Sequence, residues 1–116
     1  MRNRTGRSGE HLAALLLKRK GFYVLCRNYT CKLGEIDLVV KKGGLLVFCE
    51  VKTRHDLIYG RPFEAVTAQK QKKIKQLAEA FLKQRKVDFQ LIRFDVVSIL
   101  LLGNKPQIEH IENAFY

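Results

Sequence analysis

Apolar residues recur at helical spacing near the start of the chain and again after its middle. The first stripe consists of Leu12, Ala13, Leu16 and Leu17. It predicts a helix from about Gly9 to Lys20, with Ser8 as its N-cap and Gly21 at its end. The second stripe consists of Ile74, Leu77, Ala78, Phe81 and Leu82. It predicts a helix from about Thr67 to Arg85 with a lysine-rich polar face.

The remaining apolar segments have the length and alternation of strands. One strand is predicted from Phe22 to Tyr29, and two more follow it as a hairpin around a Gly-Gly turn. The polar segment from His55 to Pro62 predicts a loop. Residues 93–101 predict another strand, and residues 107–115 predict either an edge strand or a tail. This order favours a mixed sheet with helices packed on it.

The hairpin turn determines which residues face each other. A turn at residues 43–44 pairs positions whose numbers sum to 87, which places Asp37 opposite Glu50 and Glu35 opposite Lys52. Alternate residues share a face, so these four ionisable groups project on one side of the hairpin. The other side carries Ile36, Leu38, Val40, Leu45, Val47, Cys49 and Val51. We therefore expect one buried side and one charged side.

Opposed carboxylates, about 5 Å apart at their Cβ atoms, repel each other unless a cation lies between them. Oxygen ligands from Asp and Glu suit Mg²⁺ or Mn²⁺ rather than zinc. Lys52, two residues beyond Glu50, can orient a nucleophilic water or stabilise charge that develops on a phosphate. Glu10 can add a carboxylate from the first helix, although the helix dipole explains an acid there equally well. A surface cluster of salt bridges also explains these residues, so both interpretations stay open at this point.

Charge extends the prediction from a site to a partner. The 116 residues suit one domain over 1–116, with residues 1–7 as a basic, mobile N-terminus. The 22 Lys and Arg against 11 Asp and Glu give a net charge of +11, which favours nucleic acid as partner. Three cysteines without a CxxC pair indicate a reducing compartment, and no apolar run is long enough for a signal or a membrane span. We expect a cytoplasmic protein that does not bind membranes.

At this point the motifs resemble a known pattern. Asp37 followed by Glu50-Val51-Lys52 resembles the D…(D/E)-x-K core of restriction-endonuclease-like nucleases. The chain is more closely similar to the YraN-like family of predicted bacterial endonucleases, and more distantly to archaeal Holliday-junction resolvases. The motifs that carry the closer resemblance are Gly6-Arg7-Ser8-Gly9-Glu10, Arg27-Asn28-Tyr29, Gly34-Glu35-Ile36-Asp37-Leu38, Glu50-Val51-Lys52, Lys70-Gln71 and Arg93-Phe94-Asp95-Val96-Val97. Their order and spacing extend over nearly the whole chain.

The resemblance implies an α/β fold with a restriction-endonuclease-like αβββαβ core, in which helices flank a mixed central sheet. It implies Mg²⁺ or Mn²⁺ held by Asp37, Glu50 and Glu10, with Lys52 joining these acids in catalysis and Glu35 in support. Contacts to nucleic acid are assigned to Lys70, Gln71, Lys73 and Arg7. A solvated helix face explains the lysines of the second helix nearly as well.

The resulting hypothesis is a metal-dependent nuclease that hydrolyses phosphodiester bonds in DNA. Because its basic residues would contact the backbone, we expect it to select DNA structure rather than sequence. Two alternatives from other classes stay open, namely a non-catalytic nucleic-acid-binding module and a partner-binding subunit of a repair or recombination assembly. A nuclease this small would need to form a homodimer to cut both strands symmetrically. On the last predicted strand, Arg93 and Asp95 share a face, where they either pair with each other or brace the site.

Overall fold

The structure, a computed structural model, describes residues 4–55 and 66–115, with the backbone alone for residues 4–7. Two helices and five strands follow one another in the order αβββαββ. They are α1 (Arg4–Arg19), β1 (Tyr23–Cys31), β2 (Gly34–Lys42), β3 (Leu45–Arg54), α2 (Ala68–Gln84), β4 (Leu91–Leu100) and β5 (Gln107–Phe115). The predicted αβββαβ core is therefore confirmed, and residues 107–115 form a strand rather than a tail. Apart from His55, the loop predicted from His55 to Pro62 lies outside the described residues.

The five strands form one mixed sheet in the order β1-β2-β3-β4-β5. Neighbouring strands are antiparallel except for β3 and β4, which are parallel. Parallel strands need a crossover connection, and α2 lies between β3 and β4 in the chain. The predicted mixed sheet is confirmed.

The helices cover opposite faces of this sheet. Ala13, Ala14 and Leu17 of α1 pack in one buried cluster with alternate residues of the central strands, such as Val40 and Val47. The second cluster contains the apolar face of α2 and the intervening strand residues. Its buried members are Tyr29, Ile36, Val39, Leu46, Phe48, Leu77, Ala78 and Phe81. The sheet is thus buried on both sides.

The register of the β2–β3 hairpin is the predicted one near its turn. Lys42 pairs with Leu45, and the ladder continues in the same register to Leu38 and Cys49. The prediction of one buried and one charged side was wrong, however, because Val39 of β2 lies fully buried on the second side. That side receives α2, so its middle is apolar, and the acidic residues of β2 lie at the end far from the turn.

The helix α1 begins earlier than predicted. It starts at Arg4, so Ser8 lies inside the helix and is not its N-cap. The apolar stripe marks only the part of the helix that packs on the sheet, whereas backbone hydrogen bonds continue the helix beyond it. Its end is as predicted, because Gly21 adopts φ +95° and donates from its backbone N to the carbonyl of Lys18 at 3.0 Å.

Candidate functional site

The candidate site lies where the β2–β3 ladder stops. Beyond the pair Leu38 and Cys49, the next residue of β2 no longer continues the ladder. Instead, Asp37 Oδ2 accepts a hydrogen bond of 2.8 Å from the backbone N of Val51. The strands therefore remain joined at this point through a side chain, and this bond holds the Asp37 carboxylate beside β3.

Three carboxylates from two elements meet at this end of the sheet. Glu10 comes from α1, and Glu35 and Asp37 come from β2. One oxygen of each lies within 4.8 Å of an oxygen of the other two, and all three side chains are half-buried. Carboxylate oxygens are the ligand type that a hard divalent cation prefers, and three of them this close together could hold one.

Glu50 lies beside this group and has a different environment. It is 7% exposed, and its Oε1 lies 3.5 Å from Nζ of both Lys52 and Lys70. Burial raises the pKa of Glu50, and the nearby charge of Asp37 raises it further, while Lys70 and Lys52 act in the opposite direction. The net result is a carboxylate that holds a proton more readily than an ordinary glutamate.

The first turns of α2 form the wall of the site. Thr67 caps the helix by accepting from the backbone N of Lys70 at 3.1 Å, and the Lys70 side chain reaches Glu50 from this first turn. A cleft of about 150 Å³ opens between this helix and the hairpin. Its lining consists of Gly34, Glu35, Asp37, Glu50, Lys70, Lys73, Ile74 and Leu77. Acidic strand residues thus face basic helix residues across one cleft.

The structure places most of the predicted site residues together. Glu35 rather than Glu50 completes the three-carboxylate group, so the predicted support residue lies beside two of the predicted metal ligands. Lys73 lines the cleft, whereas the Gln71 side chain donates to the carbonyl of Val66 at 3.1 Å. The Arg7 side chain lies outside the described part of the chain. The roles assigned to these residues stay predictions.

Two glycines shape the site, and sequence reasoning missed them. Gly9 is buried in α1 against β3, and a Cβ there would overlap the Oγ1 of Thr53. Gly34 adopts φ +137°, and a Cβ would approach Cε of Lys73 to 3.1 Å. Gly9 lets a neighbouring side chain approach the helix backbone closely, and the positive φ of Gly34 is one that glycine adopts without strain. Gly9 lets α1 come near enough for Glu10 to reach the strand carboxylates, and its place before an acid in a Gly-rich motif was the available signal.

A second buried ionic network lies on the α1 side of the sheet. Asp95 is fully buried and forms a two-pronged ion pair with Arg93, with both N···O distances at 2.8 Å. His110 Nε2 donates to Asp95 Oδ2 at 2.7 Å. Arg93 and Asp95 therefore pair with each other, which was one of the two predicted outcomes. No sequence signal distinguished His110, a lone histidine on an edge strand.

The fold and site define a small α/β domain with an acidic cleft and adjacent lysines at one end of a mixed sheet. The sequence profile of the uncharacterised protein family UPF0102 matches residues 9–99, and the chain belongs to that family. A UPF0102 protein of Dictyoglomus turgidum is 44% identical over 95% of both chains. Another, from Geobacter metallireducens, is 50% identical over 95% of this chain and 90% of its own. These names state no activity, so function has to be argued from the site.

Within residues 4–55 and 66–115, no helix is long and apolar enough to cross a membrane.

Proposed function

We propose that this protein is a metal-dependent nuclease that hydrolyses phosphodiester bonds in DNA. The observation that carries the proposal is the three-carboxylate group of Glu10, Glu35 and Asp37 beside a buried Glu50 that contacts two lysines. Three carboxylates close to one another, with two lysines at a fourth carboxylate beside them, suit a site that receives both a cation and a phosphate.

The donor set fits Mg²⁺ or Mn²⁺. It consists of carboxylate oxygens on rigid elements, and oxygen-only sets select hard cations. Glu10, Glu35 and Asp37 would hold the ion, and Glu50 lies beside them on the neighbouring strand β3. A bound divalent ion would polarise a phosphate oxygen and lower the pKa of a water molecule.

The lysines supply what the carboxylates cannot. Lys52 Nζ lies 3.5 Å from Glu50 Oε1, beyond the end of the β2–β3 ladder. At this position an ammonium can orient a water molecule toward a phosphate. Lys70 approaches the same carboxylate from α2, so its ammonium can neutralise charge on the phosphate from the other wall of the cleft. Glu50, whose pKa is raised by burial, can hold the proton that the attacking water releases.

The resemblance to the YraN-like family and to the restriction-endonuclease-like D…(D/E)-x-K pattern supports the same chemistry. The net charge of +11 supports a polyanionic substrate held mainly through its backbone. We therefore propose selection by DNA structure rather than by sequence, in a cytoplasmic protein, with a homodimer where both strands are cut.

The test is cleavage of labelled single-stranded, duplex, flapped and four-way-junction DNAs, with the matching RNAs, in Mg²⁺, Mn²⁺ or EDTA. The variants are Glu50→Gln and Asp37→Asn, and the matched control is Glu79→Gln, an exposed site on α2 with the same change of charge. Cleavage that needs metal, survives in the control and falls by at least about 100-fold in both site variants is the expected result.

Binding without cleavage in every metal and substrate would overturn the nuclease and favour the non-catalytic module. Absence of nucleic-acid binding as well would favour a partner-binding subunit. A cleaved RNA with intact DNA would keep the chemistry but contradict the proposed substrate.

A further inference from the structure

A second charged surface lies at the opposite end of the molecule from the acidic cleft. The last turn of α1 ends in Lys18 and Arg19, followed by Lys20, and all three are exposed. Lys42, also exposed, ends β2 at the hairpin turn beside them. The helix α1 and the strand β2 each carry an acidic residue of the site near one end, and at their other ends they bring these cations together. We call Lys18, Arg19, Lys20 and Lys42 the distal basic surface.

Hydrogen bonds hold two of these lysines in place. Lys42 Nζ donates to the carbonyl of Lys20 at 2.8 Å and lies 5.7 Å from the centre of the Phe22 ring. Lys20 Nζ donates to His110 Nδ1 at 2.7 Å. The His110 ring is in turn fixed by its bond to the buried Asp95. Cations from α1 and β2 are thus positioned through a residue of β5.

These bonds leave the positive charge available to a ligand. A carbonyl and a neutral imidazole nitrogen are the acceptors, so neither bond neutralises an ammonium group. Each ammonium has three donors, and each of these bonds uses one. The negative end of the α1 dipole favours cations at this position, which lets the lysines gather without a bound anion. The chemistry that such a surface recognises is a row of phosphates.

The spacing between the two ends matches a DNA duplex. From Asp37 to Lys42, five residues of strand extend about 17 Å. From Glu10 to Lys20, ten residues of helix extend about 15 Å. Phosphates on one strand of DNA are about 3.4 Å apart along the helix axis, so either length corresponds to about five base pairs. One duplex can therefore contact the distal basic surface while its backbone reaches the three-carboxylate group, to which α1 contributes Glu10.

We propose that the distal basic surface binds the phosphate backbone of duplex DNA about five base pairs from the bond held in the acidic cleft. The reference to that bond rests on the proposed nuclease function, whereas the binding surface does not. Lys20 and Lys42 make the phosphate contacts. His110, held by Asp95, positions Lys20, so the buried network supports DNA binding and not the chemistry of the cleft.

The experiment measures binding of a 30-base-pair duplex in EDTA, as a function of salt, so that catalysis plays no part. The variant Lys20→Gln with Lys42→Gln is compared with Lys83→Gln with Lys86→Gln, an equal loss of charge at the exposed end of α2 on the other face. The first is expected to bind about tenfold more weakly at low salt. Its slope of log affinity against log salt should be shallower by about 1.8, the value for two phosphate contacts.

Each outcome decides between the proposals. Equal weakening in the two double variants would overturn the distal basic surface while leaving the nuclease intact. A selective loss at Lys20 and Lys42 in a protein that cleaves nothing would keep the surface and overturn the nuclease. No duplex binding by the unmodified protein would overturn the distal basic surface, and the nuclease would still be decided by the cleavage test. Lys20→Arg with Lys42→Arg should keep the salt slope. The single variant Lys42→Gln should make the slope shallower by about 0.9, half of the change in the double variant, and this graded effect excludes misfolding.

Discussion

Replacing Asp95 with asparagine should destabilise the protein strongly although the two side chains have nearly the same size. The fully buried carboxylate accepts four hydrogen bonds. Oδ1 accepts from Arg93 Nε at 2.8 Å and from the backbone N of Asn113 at 3.0 Å. Oδ2 accepts from Arg93 Nη2 at 2.8 Å and from His110 Nε2 at 2.7 Å. In either orientation, the amide NH₂ group of asparagine would face two donors.

The magnitude follows from this count. Two hydrogen bonds to a charged acceptor are lost, each contributing about 1.5 to 3 kcal/mol. Breaking a buried ion pair on one side costs about 3 to 5 kcal/mol. Arg93 is 18% exposed and also lies 3.6 Å from Glu112, so its guanidinium recovers part of that cost. We therefore expect Asp95→Asn to lower the free energy of unfolding by about 3 kcal/mol, a large share of the 5 to 15 kcal/mol typical of a domain.

Urea denaturation followed by far-UV circular dichroism measures this loss, since the chain has no tryptophan. Asp88→Asn, at an exposed position, is the matched control and should change the free energy of unfolding by less than about 0.5 kcal/mol. A loss below about 1 kcal/mol for Asp95→Asn would refute the reasoning, because it would mean that the four hydrogen bonds do not stabilise the fold.

The pH dependence of stability gives a second check on Asp95. Burial acts to raise the pKa of this carboxyl, but the bonds from His110, Arg93 and Asn113 outweigh it, and the pKa lies below its ordinary value. A depressed pKa stabilises the fold above the unfolded-state value of about 3.9. That stabilisation is lost as the pH falls through the folded-state pKa. Asp95→Asn should therefore show a smaller loss of stability below about pH 4 than the unmodified protein.

Two further variants test the acidic cleft. Glu50→Gln should raise the free energy of unfolding at neutral pH, because burial and Asp37 raise the pKa of Glu50 and its ionised form therefore destabilises the fold. The destabilisation by ionised Glu50 develops as the pH rises from the unfolded-state pKa of about 4.3 through the raised folded-state pKa. Urea titrations should therefore show equal stability below about pH 4.3 and a more stable variant above the folded-state pKa. Equal stability of the two proteins at pH 7 would contradict that balance. Gly9→Ala should push α1 away from Thr53 and cost about 1 to 3 kcal/mol. It should also weaken Mn²⁺ binding, measured by calorimetry, because it displaces Glu10. The control Ala80→Gly on α2 should lower stability without changing Mn²⁺ affinity. An unchanged Mn²⁺ affinity in Gly9→Ala would show that the position of α1 does not affect the metal site.

The hairpin shows how far local rules reach. A two-glycine turn and strict alternation were enough to predict the register from Lys42 and Leu45 to Leu38 and Cys49. The same rules failed at the side that receives α2, because alternation describes a half-buried strand and not one covered by helices on both faces. A strand such as β3, with five consecutive buried residues up to Glu50, carries the signal of a fully covered sheet.

Residues distant in sequence set the limit for the candidate site. The family resemblance predicted that Glu10 and Asp37 share one site. Their proximity depends on how closely α1 packs on the sheet at Gly9, which helix and strand patterns do not reveal. The bond between Lys20 and His110 joins residues 90 positions apart. Helix and strand periodicities place residues only within one element or one hairpin, so neither period could place this pair.

The distal basic surface and the three-carboxylate group carry opposite charges, which implies different roles for the two ends of the molecule. In a chain with a net charge of +11, Glu10, Glu35 and Asp37 bring three carboxylates together at one end of the sheet, where like charges repel. Under the proposed function, the lysines supply affinity and the carboxylates supply metal-dependent chemistry. Removing metal should then abolish cleavage, whereas the affinity supplied by Lys20 and Lys42, far from the carboxylates, should persist. Asp37→Asn, which removes one of the repelling charges, should bind DNA in EDTA at least as tightly as the unmodified protein while cleaving none of it.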